Sequence, residues 1–371
     1  MPTREMDPAA LQPITDASAW RGADLEADRS WCVTLQDRER AELRAAAAAL
    51  ADRPEHLARL DAGDAPLPGL QPLLARITQE VQHGRGMAVL RGFPVDGLEL
   101  ATIEKLYWVL CAHLGTGITQ NSDATLIHYV TEGRLRPNQG SRGVGVPTES
   151  TPHVDLTDCA SLLCVRQAPD DPPSWLASST HVFNEILRSS PDLLEPLFEG
   201  FEWDRLGEHG PHEAPTTGYK VPVFSRRDGV LSCRYNRYWM AAADRRHDRH
   251  NTAEQRRALD LFDEIAARDR LAIRFEPGDI QFVNNYTVLH GRAAHEPQTE
   301  EARMRLLMRI WLDFPQPRAL LDEAVMRYGV VRHGNLGWTA AEVRNGLVGT
   351  VRSRRADGAT VLAATGAEPS V

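Results

Sequence analysis

The sequence has few lysines and no dense run of basic residues. Only Lys105 and Lys220 are lysines, so almost all of the 42 basic residues are arginines, and 51 acidic residues give a formal net charge of −9. A negatively charged chain without a basic patch has little attraction for a phosphate backbone. We therefore do not expect nucleic acid as a partner.

Paired cysteine motifs are also missing. The cysteines are odd in number, widely spaced and without a CxxC motif; they are Cys32, Cys111, Cys159, Cys164 and Cys233. This pattern indicates neither a disulfide framework nor a cysteine zinc site. We expect reduced and mostly buried thiols.

Long apolar segments are absent as well. No stretch approaches the roughly eighteen apolar residues of a membrane-spanning helix. The first residues, Met1 to Asp7, lack the apolar core of a signal peptide. These absences predict no membrane partner and a cytoplasmic location, and they leave the oligomeric state open.

The composition is that of a folded protein. Hydrophobic residues make up 42% of the chain and charged residues 25%, which supports a sizeable core and excludes disorder of the whole chain. The 371 residues exceed the usual length of one domain. One large domain with appendages therefore competes with two domains.

The first third of the chain is predicted to be helical. Apolar residues recur at helical spacing between about 67 and 82, and residues 35–60 are rich in Ala, Arg and Glu. We divide the chain into an N-terminal lead-in and helical support region at 1–84, a core at 85–315, and a C-terminal helical segment with a loose tail at 316–371.

From about residue 125 to 313 the pattern changes to short β-type runs separated by turn residues. Two hairpins are indicated, one turning at Asp228-Gly229 and the other at Pro277-Gly278-Asp279. Two helices, at about 181–199 and 252–268, interrupt the strands. Many short strands with few helices predict a mainly β fold with flanking helices, either a sandwich or a double-sheet jelly roll.

Two histidines and a carboxylate form a candidate metal site. If the segment around them is extended, His153 and Asp155 project from the same face of a strand, where both could bind one metal ion. His290 ends a later β-type run and is far enough along the chain to return to a neighbouring strand. Two histidines and one carboxylate are the ligands of non-haem Fe(II) oxygenases. Taken alone, the first pair is better explained by a histidine at a strand end that is hydrogen-bonded to a neighbouring Asp.

Two arginines lie four residues apart on a later, otherwise apolar run. Arg305 and Arg309 share one face if that run is a strand. Buried guanidinium groups need anionic partners, and they bind carboxylates through two parallel hydrogen bonds. A dicarboxylate such as 2-oxoglutarate would satisfy them, and structural salt bridges would do so too.

Three further segments are candidates for the wall of a substrate pocket. They are Gln120-Asn121-Ser122, the loop 141–147, and Arg234-Tyr-Asn-Arg-Tyr238. The last segment interleaves Arg and Tyr, which suits a carboxylate or a flat group. We favour the other interpretation of it, a strand edge whose arginines are solvated.

Taken together, these motifs resemble the taurine dioxygenase family of Fe(II)/2-oxoglutarate-dependent oxygenases, which includes clavaminate synthase-like enzymes. The similarity follows the order His153-x-Asp155, His290-Gly-Arg292 and Arg305-x-x-x-Arg309-x-Trp311 over roughly residues 85–315. It implies a double-stranded β-helix, or jelly-roll, core. It also implies that His153, Asp155 and His290 bind Fe(II).

The same resemblance implies the remaining site residues. Arg305 would pair with the distal carboxylate of 2-oxoglutarate, and Ser174 matches the position of a hydroxyl that joins this contact. Arg309 matches a position that contacts an anionic group of the primary substrate in some relatives.

The reaction implied by the resemblance consumes 2-oxoglutarate and O2, releases succinate and CO2, and oxidises a C–H bond of a small molecule. An amino acid, another carboxylate or a sulfonate would fit; hydroxylation, desaturation and cyclisation all remain open. Two alternatives are a jelly-roll protein that binds a metal or small ligand without turnover, and an oxygenase that modifies proteins. The absence of a separate peptide-docking module in the sequence weighs against the second.

Overall fold

The computed structural model describes residues 11–55, 57–121, 125–132, 147–209, 214–316, 318–324, 350–354 and 360–364. The predicted segments Ser122 and 141–146 lie outside these residues, and so do 325–349 and the end of the tail. Among the described residues, no helix has the length and apolar character needed to cross a membrane.

The N-terminal region is helical, as the sequence predicts. Its elements are α1 (Gly22–Ala27), β1 (Cys32–Thr34), α2 (Asp37–Ala51), α3 (Gln71–His83), β2 (Met87–Arg91), α4 (Leu100–Ala112) and β3 (Thr116–Ile118). Helix α2 begins with a reciprocal cap in which Gln36 and Glu39 satisfy each other's backbone N–H groups. Helix α3 buries Leu73, Leu74 and Ile77 on one face.

The rest of the described chain alternates strands with a few helices. The strands are β4 (Ile127–Val130), β5 (Ser150–His153), β6 (Cys159–Arg166), β7 (Ser174–Ser178), β8 (Phe224–Arg227), β9 (Val230–Cys233), β10 (Leu271–Ile273), β11 (Ile280–Asn284), β12 (Val288–Arg292), β13 (Leu306–Asp313), β14 (Thr350–Arg354) and β15 (Thr360–Ala364). The helices are α5 (Ser179–Ser189), α6 (Leu194–Glu199), α7 (Arg237–Arg246) and α8 (Ala253–Arg268).

Two sheets form the core. The larger one has the order β1-β2-β11-β6-β13-β3, with β4 also paired to β13, and the smaller one has the order β10-β7-β12-β5. Apolar side chains of both sheets, among them Val283, Leu307, Leu176 and Leu289, belong to one buried cluster. The fold is therefore rich in β-structure, with two facing sheets and flanking helices, and the predicted jelly-roll core is confirmed.

One of the two predicted hairpins is confirmed. Strands β8 and β9 pair antiparallel around Asp228 and Gly229, which adopt the positive φ values of 51° and 79° that a tight hairpin turn requires.

The hairpin predicted at Pro277-Gly278-Asp279 is wrong. Strand β10 pairs with β7, whereas β11 pairs with β2 and β6, so this turn carries the chain from the smaller sheet to the larger one. Gly278 is needed there, because its φ is 88° and a Cβ atom would lie 2.4 Å from the carbonyl oxygen of Phe93.

Two helix predictions also change. The helix expected at 181–199 is divided into α5 and α6, because Pro191 follows the end of α5 and opens a separate short turn. The segment Arg234–Tyr238 is not a strand edge. Asn236 caps α7 by accepting a hydrogen bond from the Trp239 backbone N–H, so the second half of the segment is helical.

The C-terminal region was predicted to hold a helix and a loose tail. Its described residues form a 3-10 turn at Asp322–Ala324 and the antiparallel pair β14 and β15. No α-helix occurs among the described residues after 316. The proposed boundaries near 84 and 315 stay predictions.

Candidate active site

The two candidate histidines lie opposite each other on neighbouring strands. Strands β5 and β12 pair antiparallel with His153 directly across from His290, and the two ring centroids are 4.6 Å apart. The Nδ1 atom of His153 lies 2.8 Å from the carbonyl oxygen of Thr151. Because that carbonyl can only accept, Nδ1 is the donor in this contact, and Nε2 is the nitrogen that remains to face a metal ion.

Asp155 completes a cluster of three ligand atoms. It lies two residues beyond the end of β5, and one donor atom from each of His153, Asp155 and His290 lies within 4.8 Å of the other two. The distance from Oδ2 of Asp155 to Nε2 of His290 is 3.7 Å. Two imidazole nitrogens and one carboxylate oxygen suit Fe(II) and leave coordination positions for other ligands.

The Asp155 carboxyl group is held in its ionised form. Burial is the largest single influence and by itself would raise the pKa of this carboxyl group. The positive charge of Arg309 is the strongest of the influences that lower it. His290, His153 and the indole of Trp311 act in the same direction, and the pKa lies well below its usual range. A carboxylate that stays ionised is the form that binds a cation.

His290 is held in its neutral form. Burial is the main cause that lowers its pKa to about 3, and the charge of Asp155 opposes this shift only in part. Its Nδ1 atom is buried without a hydrogen-bond partner among the described residues. A neutral imidazole with an available nitrogen is the metal-binding form of histidine. The donor set therefore fits an iron ion.

Asp155 is fixed by hydrogen bonds on every side. Nη1 of Arg309 lies 3.1 Å from both carboxylate oxygens, and Nε1 of Trp311 donates to Oδ2 at 2.9 Å. The Asp155 backbone N–H donates to Oδ1 of Asn285 at 2.9 Å, and Nη1 of Arg234 donates to its carbonyl oxygen at 3.1 Å.

Arg305 and Ser174 meet where the two sheets face each other. Nη2 of Arg305 lies 3.2 Å from the Ser174 hydroxyl, and Nε donates to Gln167 at 3.0 Å. Within the described chain, no carboxylate forms a salt bridge with Arg305, which is only 4% exposed. Burial first, and then the nearby charge of Arg292, lower its pKa to about 10, so the group remains positive at neutral pH. A buried cation beside a hydroxyl suits a carboxylate ligand.

A cavity of about 480 Å³ joins these groups. Side chains of both sheets and the start of α7 line it: His153, Asp155, His290, Ser174, Arg305, Arg309, Arg292, Glu149, Gln281, Asn236, Tyr238 and Trp239 are among them. All six residues that the sequence predicted for the site therefore face one space. Its volume is within the usual range for small-molecule sites.

Gln281 is a cavity residue that the sequence reasoning missed. It is 3% exposed, and its Oε1 atom has no hydrogen-bond partner among the described residues. Gln281 pairs in register with Leu162, which pairs with Arg309, so the three side chains form one row on the inner face of the larger sheet. A lone amide between Ile280 and Phe282 was the available signal in the sequence.

Of the other predicted pocket segments, 234–238 lines the cavity through Asn236 and Tyr238, whereas Gln120 has a different role. Gln120 does not line the cavity; its Oε1 accepts from Nε of Arg309 at 2.8 Å, and its Nε2 donates to the Arg309 carbonyl at 2.7 Å. Gln120 thus orients Arg309. The arginines of the segment 234–238 are not solvated strand residues: Arg234 is fully buried, and Arg237 pairs with Asp260 and Asp263.

The model of the taurine catabolism dioxygenase TauD, TfdA family matches residues 51–311. The chain belongs to the TauD/TfdA family of dioxygenases. It is accordingly an enzyme that depends on Fe(II), 2-oxoglutarate and O2, and its histidine and carboxylate cluster fits an iron ion.

Two curated relatives align over most of this chain. FR-33289 synthase of Streptomyces rubellomurinus is 32% identical over 314 residues, which cover 83% of this chain and 92% of the relative. The taurine hydroxylase-like protein SAT17 of Stachybotrys chartarum is 28% identical over 315 residues, covering 81% of this chain and 80% of the relative.

Solved structures of similar fold include an asparagine oxygenase with Fe(II), 3-hydroxyasparagine and succinate (TM-score 0.59, 20% identity). Another is the non-haem iron oxygenase OrfP with Fe and α-ketoglutaric acid (TM-score 0.57, 20% identity). Each alignment covers 76% of this chain and 93% of the other chain.

Proposed function

We propose that His153, Asp155 and His290 hold the catalytic Fe(II) of this dioxygenase. The observation that carries this proposal is the close approach of their three donor atoms, within 4.8 Å of one another, at a point where the carboxylate is ionised and His290 is neutral. Bound iron supplies the activation of O2 that drives decarboxylation of 2-oxoglutarate and oxidation of a substrate C–H bond.

Arg305 and Ser174 would bind the distal carboxylate of 2-oxoglutarate. Arg305 is a buried cation whose side-chain partners are the neutral Gln167 and Ser174. A carboxylate would satisfy its remaining donors with charge-assisted hydrogen bonds. The Ser174 hydroxyl would add one more donor from β7, so that the co-substrate extends toward the histidine and carboxylate cluster.

The primary substrate would be a small carboxylate, and an amino acid fits best. Arg309 lies at the edge of the candidate iron site and faces the cavity, so it would contact an anionic group of the substrate while it holds Asp155. Gln281, two strands away in the same row, would accept a hydrogen bond from an amine, amide or hydroxyl. The asparagine oxygenase and OrfP, whose structures contain hydroxylated asparagine and arginine, support this class.

The protein's own part in the reaction is to position and to shield. Arg309 and Trp311 keep the Asp155 carboxylate oriented, and apolar residues such as Val283 and Leu307 keep that part of the cavity dry. The cytoplasmic location expected from the sequence remains a prediction.

The test is an anaerobic titration of the metal-free protein with Fe(II) and 2-oxoglutarate, followed by a substrate screen. We expect the metal-to-ligand charge-transfer absorption of the ternary complex in the wild type and its loss in His153→Ala and Asp155→Ala. Addition of O2 with a panel of L-amino acids and other carboxylates should then release succinate in a substrate-dependent manner. Normal binding and turnover in both variants would refute the ligand assignment.

A further inference from the structure

Arg234 is a fully buried arginine that the proposed chemistry does not use. It follows β9 and precedes α7, and its exposed fraction is 0%. Its guanidinium carbon lies 4.3 Å from the centroid of the Tyr286 ring. Nη1 donates to the carbonyl oxygen of Asp155 at 3.1 Å, and Nε donates to the carbonyl oxygen of Ala324 at 3.1 Å.

Burial of a positive charge at this position is energetically unfavourable. Within the described chain, no carboxylate forms a salt bridge with Arg234, and its Nη2 atom is buried without a hydrogen-bond partner. A buried guanidinium with neutral partners contributes little to stability and is easily replaced by an apolar residue of similar size. Its two hydrogen bonds to carbonyl groups therefore point to a purpose other than stability.

We propose that Arg234 is a positioning residue for the Asp155 ligand. The inference rests on the proposed function, because it takes Asp155 as an iron ligand. Arg234 acts through the backbone of Asp155 and touches none of the reacting groups.

The backbone around Asp155 is held from two elements. Asn285 accepts from the N–H of Asp155, and Arg234 donates to its carbonyl oxygen. The neighbouring Val154 N–H donates to the carbonyl oxygen of Tyr235 at 2.9 Å. Asp155 lies just beyond the end of β5, where strand pairing no longer fixes the peptide. Rotation of this peptide would turn the carboxylate away from His153 and His290, and Arg234 opposes that rotation.

The role requires the shape of arginine. One planar guanidinium reaches the carbonyl groups of Asp155 and Ala324 at the same time, through two different nitrogens. Lysine carries the same charge as a single point at the end of a flexible chain and does not reproduce the fork. Arg234→Lys therefore separates the effect of the charge from that of the geometry.

Arg318 offers a matched control. Its guanidinium contacts the same Tyr286 ring, at 5.5 Å from the centroid, and the side chain is partly buried. It donates to the Ser232 hydroxyl at 2.8 Å and to the carbonyl oxygen of Leu231 at 2.5 Å. None of these bonds reaches Asp155, so Arg318→Met removes a partly buried arginine from the same aromatic ring and leaves the ligand's own contacts unchanged.

The experiment compares the full-length wild type with Arg234→Met, Arg234→Lys and Arg318→Met. Thermal melting of the metal-free proteins gives stability, anaerobic calorimetry with Co(II) gives metal affinity, and the charge-transfer band of the Fe(II) and 2-oxoglutarate complex reports ligand geometry. We expect both Arg234 variants to bind Co(II) at least about tenfold more weakly, as is typical when a group that orients a metal ligand is lost. The charge-transfer band should also shift. The Co(II) affinity of Arg318→Met should stay within about twofold of the wild-type affinity, whatever the melting temperature of this variant.

Unchanged Co(II) affinity in Arg234→Lys would overturn the inference. Equal losses of Co(II) affinity in Arg234→Lys and Arg318→Met would overturn it too. If Arg234→Met does not fold, Arg234→Lys decides the outcome. A failure of the proposed function is a different result: the wild type and Arg318→Met would then form no charge-transfer complex, or Asp155→Ala would bind Co(II) like the wild type.

Discussion

Replacement of Arg305 by methionine should weaken 2-oxoglutarate binding without weakening the fold. Methionine fills a similar apolar volume and removes the charge. Burial and repulsion from Arg292 lower the pKa of Arg305 from 12.5 to about 10, which corresponds to about 3 kcal/mol of unfavourable free energy for the charged form in the ligand-free protein. Methionine avoids this cost.

The hydrogen bonds to Gln167 and Ser174 offset part of that gain. Each contributes on the order of 1 kcal/mol, so the ligand-free Arg305→Met protein should be as stable as the wild type or about 1 kcal/mol more stable. Loss of one partner of a buried charge pair costs about 2 to 5 kcal/mol of binding free energy. The Kd for 2-oxoglutarate should therefore rise at least about thirtyfold.

Urea unfolding without ligand measures the unfolding free energy. Anaerobic titration with 2-oxoglutarate in the presence of Fe(II) measures the Kd for 2-oxoglutarate. Arg303, an exposed arginine two residues earlier, supplies the control Arg303→Met, which should change neither. If Arg305→Met loses more than about 2 kcal/mol of unfolding free energy while its Kd stays within threefold, Arg305 is a structural residue and the co-substrate assignment is wrong.

Three further outcomes are expected. Gln281→Leu should raise the unfolding free energy in urea by about 1 kcal/mol, because it removes a buried amide oxygen that has no partner among the described residues. It should also raise the KM of the substrate that the screen identifies. A loss of stability would show that the amide already has a hydrogen-bond partner. The metal-free protein should lose stability as the pH falls from 6.5 toward 3, because His290 binds a proton in the unfolded chain and not in the folded chain. In His290→Gln the melting temperature should therefore depend less on pH. An unchanged pH profile in that variant would contradict this cause. Gly278→Ala should lower the free energy of chemical unfolding by about 2 kcal/mol or more, because the positive φ of Gly278 and its approach to Phe93 exclude a Cβ atom. Gly97→Ala, with open space around it, should lower the unfolding free energy by less. Equal losses of unfolding free energy in the two variants would disprove the steric argument.

Much of the site was predictable from local spacing. The two-residue periodicity of a strand predicts that His153 and Asp155 share a face, and the four-residue separation predicts the same for Arg305 and Arg309. The helical spacing of Leu73, Leu74 and Ile77 similarly predicts α3. These are relations between neighbours in the chain, and the geometry of a strand or a helix determines them before any tertiary contact forms.

The partners of these residues depended on tertiary packing. Pairing of β5 with β12 in one particular register brings His290 opposite His153, and the approach of β13 brings Arg309 to Asp155. The turn at Pro277-Gly278-Asp279 has the composition of a hairpin, yet its flanking strands find better partners in different sheets.

The sequence by itself determined which chemical groups are available and which of them share a strand face. Only the tertiary structure decided that Arg234 is buried against the Asp155 carbonyl group and that Gln281 faces the cavity. The physical reason is that register, burial and the pairing of buried polar groups depend on which strands meet. Residues far apart in the chain decide this together, and no local pattern contains it.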